Sequence, residues 1–189
     1  MDPLTHTLIG AVAGEGFFKR RLGKDAIPLL AIASNLPDID AIVMLTGGPM
    51  AITMRRTFGH SVFLFPLWAL ALAALYKRLR PEQRFSRLYI ASLVGCCLHV
   101  FFDLVNSFGV VALWPFSQYR PELAIIFIID LVLTGLLAAP FIAAKLKPSL
   151  DRRLACRVSA AAVCVYVLLC AGCRLRAELL RARVAAGAE

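Results

Sequence analysis

Three histidines occur in the chain, and each sits in a polar motif inside or beside an apolar segment. His6 lies in Thr5-His6-Thr7, His60 in Gly59-His60-Ser61, and His99 opens His99-Val100-Phe101-Phe102-Asp103. A fourth motif, Asn35-Leu36-Pro37-Asp38-Ile39-Asp40, interrupts another apolar stretch. Imidazole nitrogen and carboxylate oxygen are the usual ligands of zinc and similar divalent ions. The same groups are costly in hydrocarbon, so their presence there points to function. His99 and Asp103 are four residues apart and therefore share one face of a helix. Asp38 and Asp40 would diverge on a regular helix. Pro37 disfavours a helical Leu36, and in the broken backbone that follows the two carboxylates can converge on one cation. Gly59 and Asn106-Ser107-Phe108-Gly109 signal further breaks, which are tolerated at membrane depth where they line a cavity. The chemistry expected is a divalent-metal centre. Arg55 and Arg56, just before His60, suit an anionic substrate group such as phosphate, although interfacial anchoring is the plainer reading. Ser61 and Asn106 are read as further substrate contacts.

These residues must be positioned by membrane elements. The chain has 189 residues, 60% hydrophobic and 17% charged, where a soluble domain carries about 25% charged residues. Six apolar segments stand out: Leu4–Phe18, Ala26–Leu45, Ser61–Tyr76, Leu88–Val105, Leu123–Ala144 and Val158–Cys173. Several are near the roughly 20 residues a span needs. The fold class expected is all-α: a polytopic bundle of five to six membrane segments, with helices broken at a metal site. The first and last segments are the least regular, and the first also suits a re-entrant helix. No internal repeat or linker divides the chain, so residues 1–189 read as one integral membrane domain. Its motifs lie in 1–130, and 131–189 supply C-terminal spans and a basic tail. No basic stretch precedes the first apolar segment, so insertion is expected to be driven by the spans themselves.

Counting segments alternately brings the motifs together. His6 starts the first and His60 opens the third. Asp38 and Asp40 end the second, and His99 and Asp103 end the fourth. Asp130 lies in the first half of the fifth and is a further ligand candidate. Odd segments begin, and even ones end, at the same face, so all of these groups fall in one leaflet whatever the orientation. The net charge of +9 does not imply nucleic acid, because the basic residues form short clusters between spans. Lys19, Arg20, Arg21 and Lys24, then Lys77, Arg78, Arg80, Arg84 and Arg87, then Lys145, Lys147, Arg152, Arg153 and Arg157 mark the cytoplasmic face. Only Arg55, Arg56 and Arg120 lie in the opposite loops. The metal layer is thereby expected in the outer leaflet, toward the periplasm or exterior. Arg174, Arg176, Arg181 and Arg183 conflict with this count. Residues Arg174–Val184 also fit an amphipathic surface helix. The cysteines, including Cys170-Ala-Gly-Cys173, read as small buried hydrophobes.

Taken together, Met1-Asp2-Pro3-Leu4-Thr5-His6-Thr7-Leu8-Ile9-Gly10, Asn35-Leu36-Pro37-Asp38-Ile39-Asp40, Arg56 to His60-Ser61, and His99-x-x-x-Asp103 running to Trp114-Pro115-Phe116-Ser117 resemble the YdjM-type membrane-bound metal-dependent hydrolases. The resemblance covers about the first 130 residues. It implies a multi-pass inner-membrane protein whose ligands, carried over by position, are His6, Asp38, Asp40, His60, His99 and Asp103. One position departs from the pattern: family members often carry a His-Arg pair where this chain has Arg55-Arg56. More loosely, the motif set is similar to that of soluble zinc-dependent phospholipases C and P1-type nucleases, which favours phosphoester chemistry.

The expected activity is hydrolysis of a phosphoester on a lipid or lipid-linked substrate by metal-activated water. Zinc, as one to three ions, is the expected cofactor, with manganese or magnesium as alternatives. Asp38 and Asp40 would bridge metals or take the proton, and Arg56 would neutralise an oxyanion. Membrane lipids are the expected partners. The competing expectation is a non-catalytic intramembrane site that binds or conducts a cation.

Overall fold

The computed structural model describes residues 1–46 and 55–186. Among them the chain is all-helical, with one isolated backbone pairing, Asn106 with Ile126. Among the described residues, three stretches are long and apolar enough to cross a membrane: Pro3–Val43, Phe85–Val105 and Arg152–Ala186.

The first of these folds back on itself. Helix α1 (Pro3–Ala13) runs through a π-helical turn (Gly14–Phe18) into the short α2 (Lys19–Leu22). Gly23, at φ +60°, reverses the chain before α3 (Ala26–Ala33). Gly10 faces Leu30 and Gly14 faces Ala26, the crossing pattern of an antiparallel pair. A Cβ on Gly10 or Gly14 would run into the Leu30 or Ala26 carbonyl. The two helices therefore touch backbone to backbone, as small residues allow in membrane helices. Asp2 caps α1 by accepting the Thr5 amide (2.9 Å) and hydroxyl (2.6 Å). Partial burial pushes its carboxyl up, but those bonds outweigh it and hold the group below the ordinary carboxylate value.

Beyond α3 the backbone tightens into an eleven-residue 3-10 helix, Leu36–Thr46. Pro37 is the local cause, because the residue before a proline is pushed out of the α region. A short 3-10 turn, Phe58–His60, precedes α4 (Phe65–Leu79) and α5 (Phe85–Val105). Helices α4 and α5 form a hairpin, with α3 also laid against α5. Leu29, Leu30, Leu72, Leu88 and Ala91 make the core between them.

Residues 106–130 form an irregular segment that packs over the 55–62 stretch. Val111 N–H donates to the Arg56 carbonyl (2.9 Å), and Val62 N–H donates to the Ala112 carbonyl (3.0 Å). Two helices complete the bundle: α6 (Leu131–Leu146) and α7 (Arg152–Ala186). They pack on α1 through Ile9, Val12, Leu133, Leu137 and Val163.

Helix α7 corrects the expectation of a separate surface helix over Arg174–Val184. Its 35 residues span about 52 Å, well beyond the roughly 30 Å hydrocarbon core. No breaker separates Cys173 from Arg174, and the Arg174–Glu178 pair (2.9 Å) bridges successive turns. The tail is thereby carried to the end where residues 106–130 lie, and Arg174 reaches the Leu123 carbonyl. All six cysteines are free thiols.

Candidate metal centre

The ends of α3 and α5 and the 55–61 segment meet in one layer. Asp38, His60, His99 and Asp103 each turn a ligand atom inward, and these atoms all lie within 4.8 Å of one another. Both histidines, Asp103 and Asp40 are completely buried. Asp38 keeps 16% of its side chain exposed and is the one of the four reached from outside.

The hydrogen bonds behind the rings define what the front can do. His99 Nδ1–H donates to the Ser34 carbonyl at 2.7 Å. His60 Nδ1–H donates to Asp40 Oδ2 at 2.9 Å. Carbonyl and carboxylate oxygens only accept, so each Nδ1 carries a proton, and each ring in its neutral form presents a bare Nε2. Those two Nε2 atoms face each other at 3.0 Å. Asp103 Oδ2 lies 3.3 Å from His60 Nε2 and 3.5 Å from His99 Nε2. Asp38 Oδ1 lies 3.7 and 3.8 Å from the same nitrogens and is a buried oxygen with no hydrogen-bond partner. With both rings neutral, two lone pairs and the oxygens of Asp38 and Asp103 converge, and Asp103 is also paired with Met1, Asn106 and Arg56. A divalent cation fits that donor set, and imidazoles fixed from behind by carboxylate or carbonyl are the usual outer support of a metal site.

The expected ligands divide into two groups. Asp38 and Asp40 do not converge on one point, because a 3-10 helix turns three residues per revolution and sends i and i+2 apart. Asp38 faces the cluster. Asp40 stands behind His60, with its Oδ2 also accepting the Thr57 amide at 3.0 Å. His6 stacks on His99, with ring centroids 3.8 Å apart, and its Nε2 reaches Asp103 Oδ1 at 3.2 Å. Its Nδ1 is buried without a partner. Asp130 is occupied elsewhere: it caps α6 through the Leu133 amide (2.9 Å) and accepts the Tyr166 hydroxyl (2.8 Å).

Arg56 enters the layer from a strained backbone, φ +60°. Left-handed geometry is uncommon for a residue other than glycine, and such strain concentrates at functional sites. Its Nε lies 3.3 Å from Asp103 Oδ2, and its guanidinium stacks 4.7 Å over Phe108. Arg55 is half-buried, and its carbonyl accepts Arg120 Nη2 at 2.9 Å. Asn106 is a supporting residue: its Nδ2 donates to Asp103 Oδ1 (3.0 Å), and its Oδ1 accepts from Phe108 N–H (2.8 Å). Ser61 is spent on the Trp114 carbonyl at 2.6 Å. Gly59 lets the segment close, because a Cβ there would strike the Pro37 carbonyl and crowd Asp40.

Two participants have no side-chain signal in the sequence. One is the Ser34 carbonyl, left without a helical partner where Pro37 breaks the chain. The other is the Met1 amino group, which pairs with Asp103 Oδ1.

A groove of about 550 Å³ opens at Asp38, walled by Thr7, Ala31, Ile32, Asn35, Leu36 and Ile39. Its walls are largely apolar, and Ile32 and Ile39 are exposed.

Comparison with known proteins gives the family. The chain is 31% identical over 133 residues to an uncharacterized protein, YfhP, of Bacillus subtilis (strain 168). That alignment covers 67% of this chain and 41% of the relative, so the chain spans about two fifths of the relative's length. No solved structure matches the chain. The family model described as YdjM inner membrane protein matches residues 1–178, well past the motif-bearing first 130. With its motifs meeting in one buried layer and that match running nearly end to end, the chain belongs to the YdjM inner membrane protein family.

Proposed function

We propose that this protein is a membrane-embedded, divalent-metal-dependent hydrolase acting on a phosphoester of a lipid or lipid-linked substrate. The observation that carries the reading is the opening of the ligand cluster. Three of its four members are sealed, and Asp38 alone meets a groove with apolar walls. A purely structural staple has no need of such a mouth. An ion path would continue in polar residues toward the other face. Beneath this cluster lie Ile9, Val12, Leu98 and Phe102, which line an apolar cavity.

A divalent ion held by Asp38, His60, His99 and Asp103 supplies Lewis acidity and a water-derived nucleophile at neutral pH. The chain's own residues do the rest. Ser34 and Asp40 hold the imidazoles in the tautomer that offers Nε2. Arg56 brings a fixed cation to the edge of the layer, where it stabilises an anionic phosphoryl group. Ile32, Leu36 and Ile39 exclude water and accept the lipid portion. Zinc suits the two imidazoles and two carboxylates best, with manganese as the alternative.

The test is metal analysis of detergent-purified protein, followed by a product screen on phospholipids and polyprenyl phosphates. Cleavage that is lost on chelation, restored by metal and absent in Asp38→Asn supports the proposal. Fully metallated protein that cleaves none of them leaves the cation-binding reading as the better one.

A further inference from the structure

The opposite end of the bundle carries a second arrangement that the metal centre does not use. The π-helical turn Gly14–Phe18 rests on the first turns of α7. Glu15 is buried there, and Lys19 (2.9 Å) and Arg152 (3.1 Å) neutralise it. Arg153 and Arg157, one helical turn apart, both aim their Nε at a single acceptor, the Gly16 carbonyl, at 3.4 and 2.9 Å. Neither makes an ion pair among the described residues. One carbonyl thus draws two like charges together. The Arg157 guanidinium also lies over the Phe17 ring, 5.8 Å from its centroid.

Phe17 is at the same time the mouth of an apolar cavity of about 260 Å³. The cavity runs between α1, α5 and α7 along Phe18, Val94, Leu98, Ala160 and Cys164. Residues 157, 160 and 164 follow one face of α7, so the cationic pair and the cavity form one continuous track. From Phe17 to Ile9 the track is about 12 Å deep, enough for much of an acyl chain. Phe17 and Cys164 are exposed, so it opens sideways to the bilayer.

We propose that this track binds one anionic phospholipid of the surrounding bilayer, with the phosphate on Arg153 and Arg157 and an acyl chain in the cavity. Charge complementarity selects the occupant: basic pockets at the ends of membrane helices recognise anionic headgroups, and planar guanidinium forks suit phosphate oxygens. Its headgroup end lies at the opposite end of the bundle from the metal centre, and lipid binding there does not depend on the centre's chemistry.

The experiment titrates full-length protein in detergent with phosphatidylglycerol and with phosphatidylcholine of identical chains, and reads bound lipid by native mass spectrometry. Phosphatidylglycerol binds more tightly to the wild type. Arg153→Ala/Arg157→Ala lowers that affinity by about 30-fold, from about 1 kcal/mol for each arginine, and removes the preference. Metal content and melting temperature show that the variant is folded. Cys164→Trp, at an exposed position, fills the cavity, keeps both arginines and weakens both lipids. Free glycerol phosphate does not compete. Equal binding of the two lipids by the wild type, or wild-type phosphatidylglycerol affinity in either variant, overturns the proposal. So does full competition by glycerol phosphate, which would make this an ion site only.

Discussion

His60 and His99 point their Nε2 atoms at each other across 3.0 Å, and each has its other nitrogen already donating, to Asp40 and to Ser34. Neither neutral ring has a proton for the other. With both rings neutral the contact sets two lone pairs against each other, and a cation held between the rings and the two carboxylates beside them satisfies both. Removing either ring therefore removes a ligand. His60→Ala and His99→Ala should each lose most bound metal by elemental analysis, whereas retention of full occupancy in the double variant would refute the centre.

Asp40 tests the support behind the ligands. Asp40→Asn keeps an acceptor for His60 Nδ1 but removes its charge. Metal affinity should fall about 10- to 100-fold, with the fold intact by circular dichroism. An unchanged affinity in a chelator competition would mean that Asp40 does not orient His60.

Arg56 separates binding from turnover. Arg56→Ala should keep the metal and lower turnover on the identified substrate by roughly 10²–10³. Arg56→Lys should recover only part, because an ammonium lacks the planar fork. Full activity in Arg56→Ala would reduce the residue to a partner of Asp103.

Gly59 is a steric prediction. A methyl at this position meets the Pro37 carbonyl and the Asp40 carboxylate, so Gly59→Ala should cost about 1–3 kcal/mol. A lower melting temperature should come with weaker metal binding, since Asp40 and His60 share the displaced seam. A variant with wild-type values for both would show that the two segments are not locked together.

Orientation is open to direct measurement. In a cysteine-free background, a cysteine at Ser117 should react with an impermeant maleimide from outside the cell. One at Glu82 should react only after the membrane is opened. The reverse pattern would put the metal layer on the cytoplasmic side and redirect the substrate search to that leaflet.

Much of this layer was legible in the residues themselves. The four-residue spacing of His99 and Asp103 placed both on one helix face, and Pro37 announced the break after α3. The alternation of segments was enough to bring motifs far apart in the chain into one layer. The division of labour between Asp38 and Asp40 was not legible, because it depends on the handedness and pitch of an eleven-residue 3-10 helix. Asp130 looked like a ligand because a carboxylate in an apolar run looks alike whether it caps a helix or holds a metal. Tyr166, its partner, lies 36 residues further along the chain. The Ser34 carbonyl is a backbone group, and backbone groups leave no mark in composition. The tail after Cys173 shows the converse. Its charge pattern suggested a change of element, yet charge alone does not stop a helix.

The spread of the ligands along the chain has a consequence for biogenesis. Asp38 leaves the ribosome 65 residues before Asp103, and His60 and His99 are separated by α4 and the first two thirds of α5. No nascent chain shorter than α5 contains more than half of the donor set. On the proposed reading, metal capture would wait for α5, because a chain stalled before it lacks His99 and Asp103. Protein made in a metal-starved cell should then still be fully threaded through its membrane while lacking the ion.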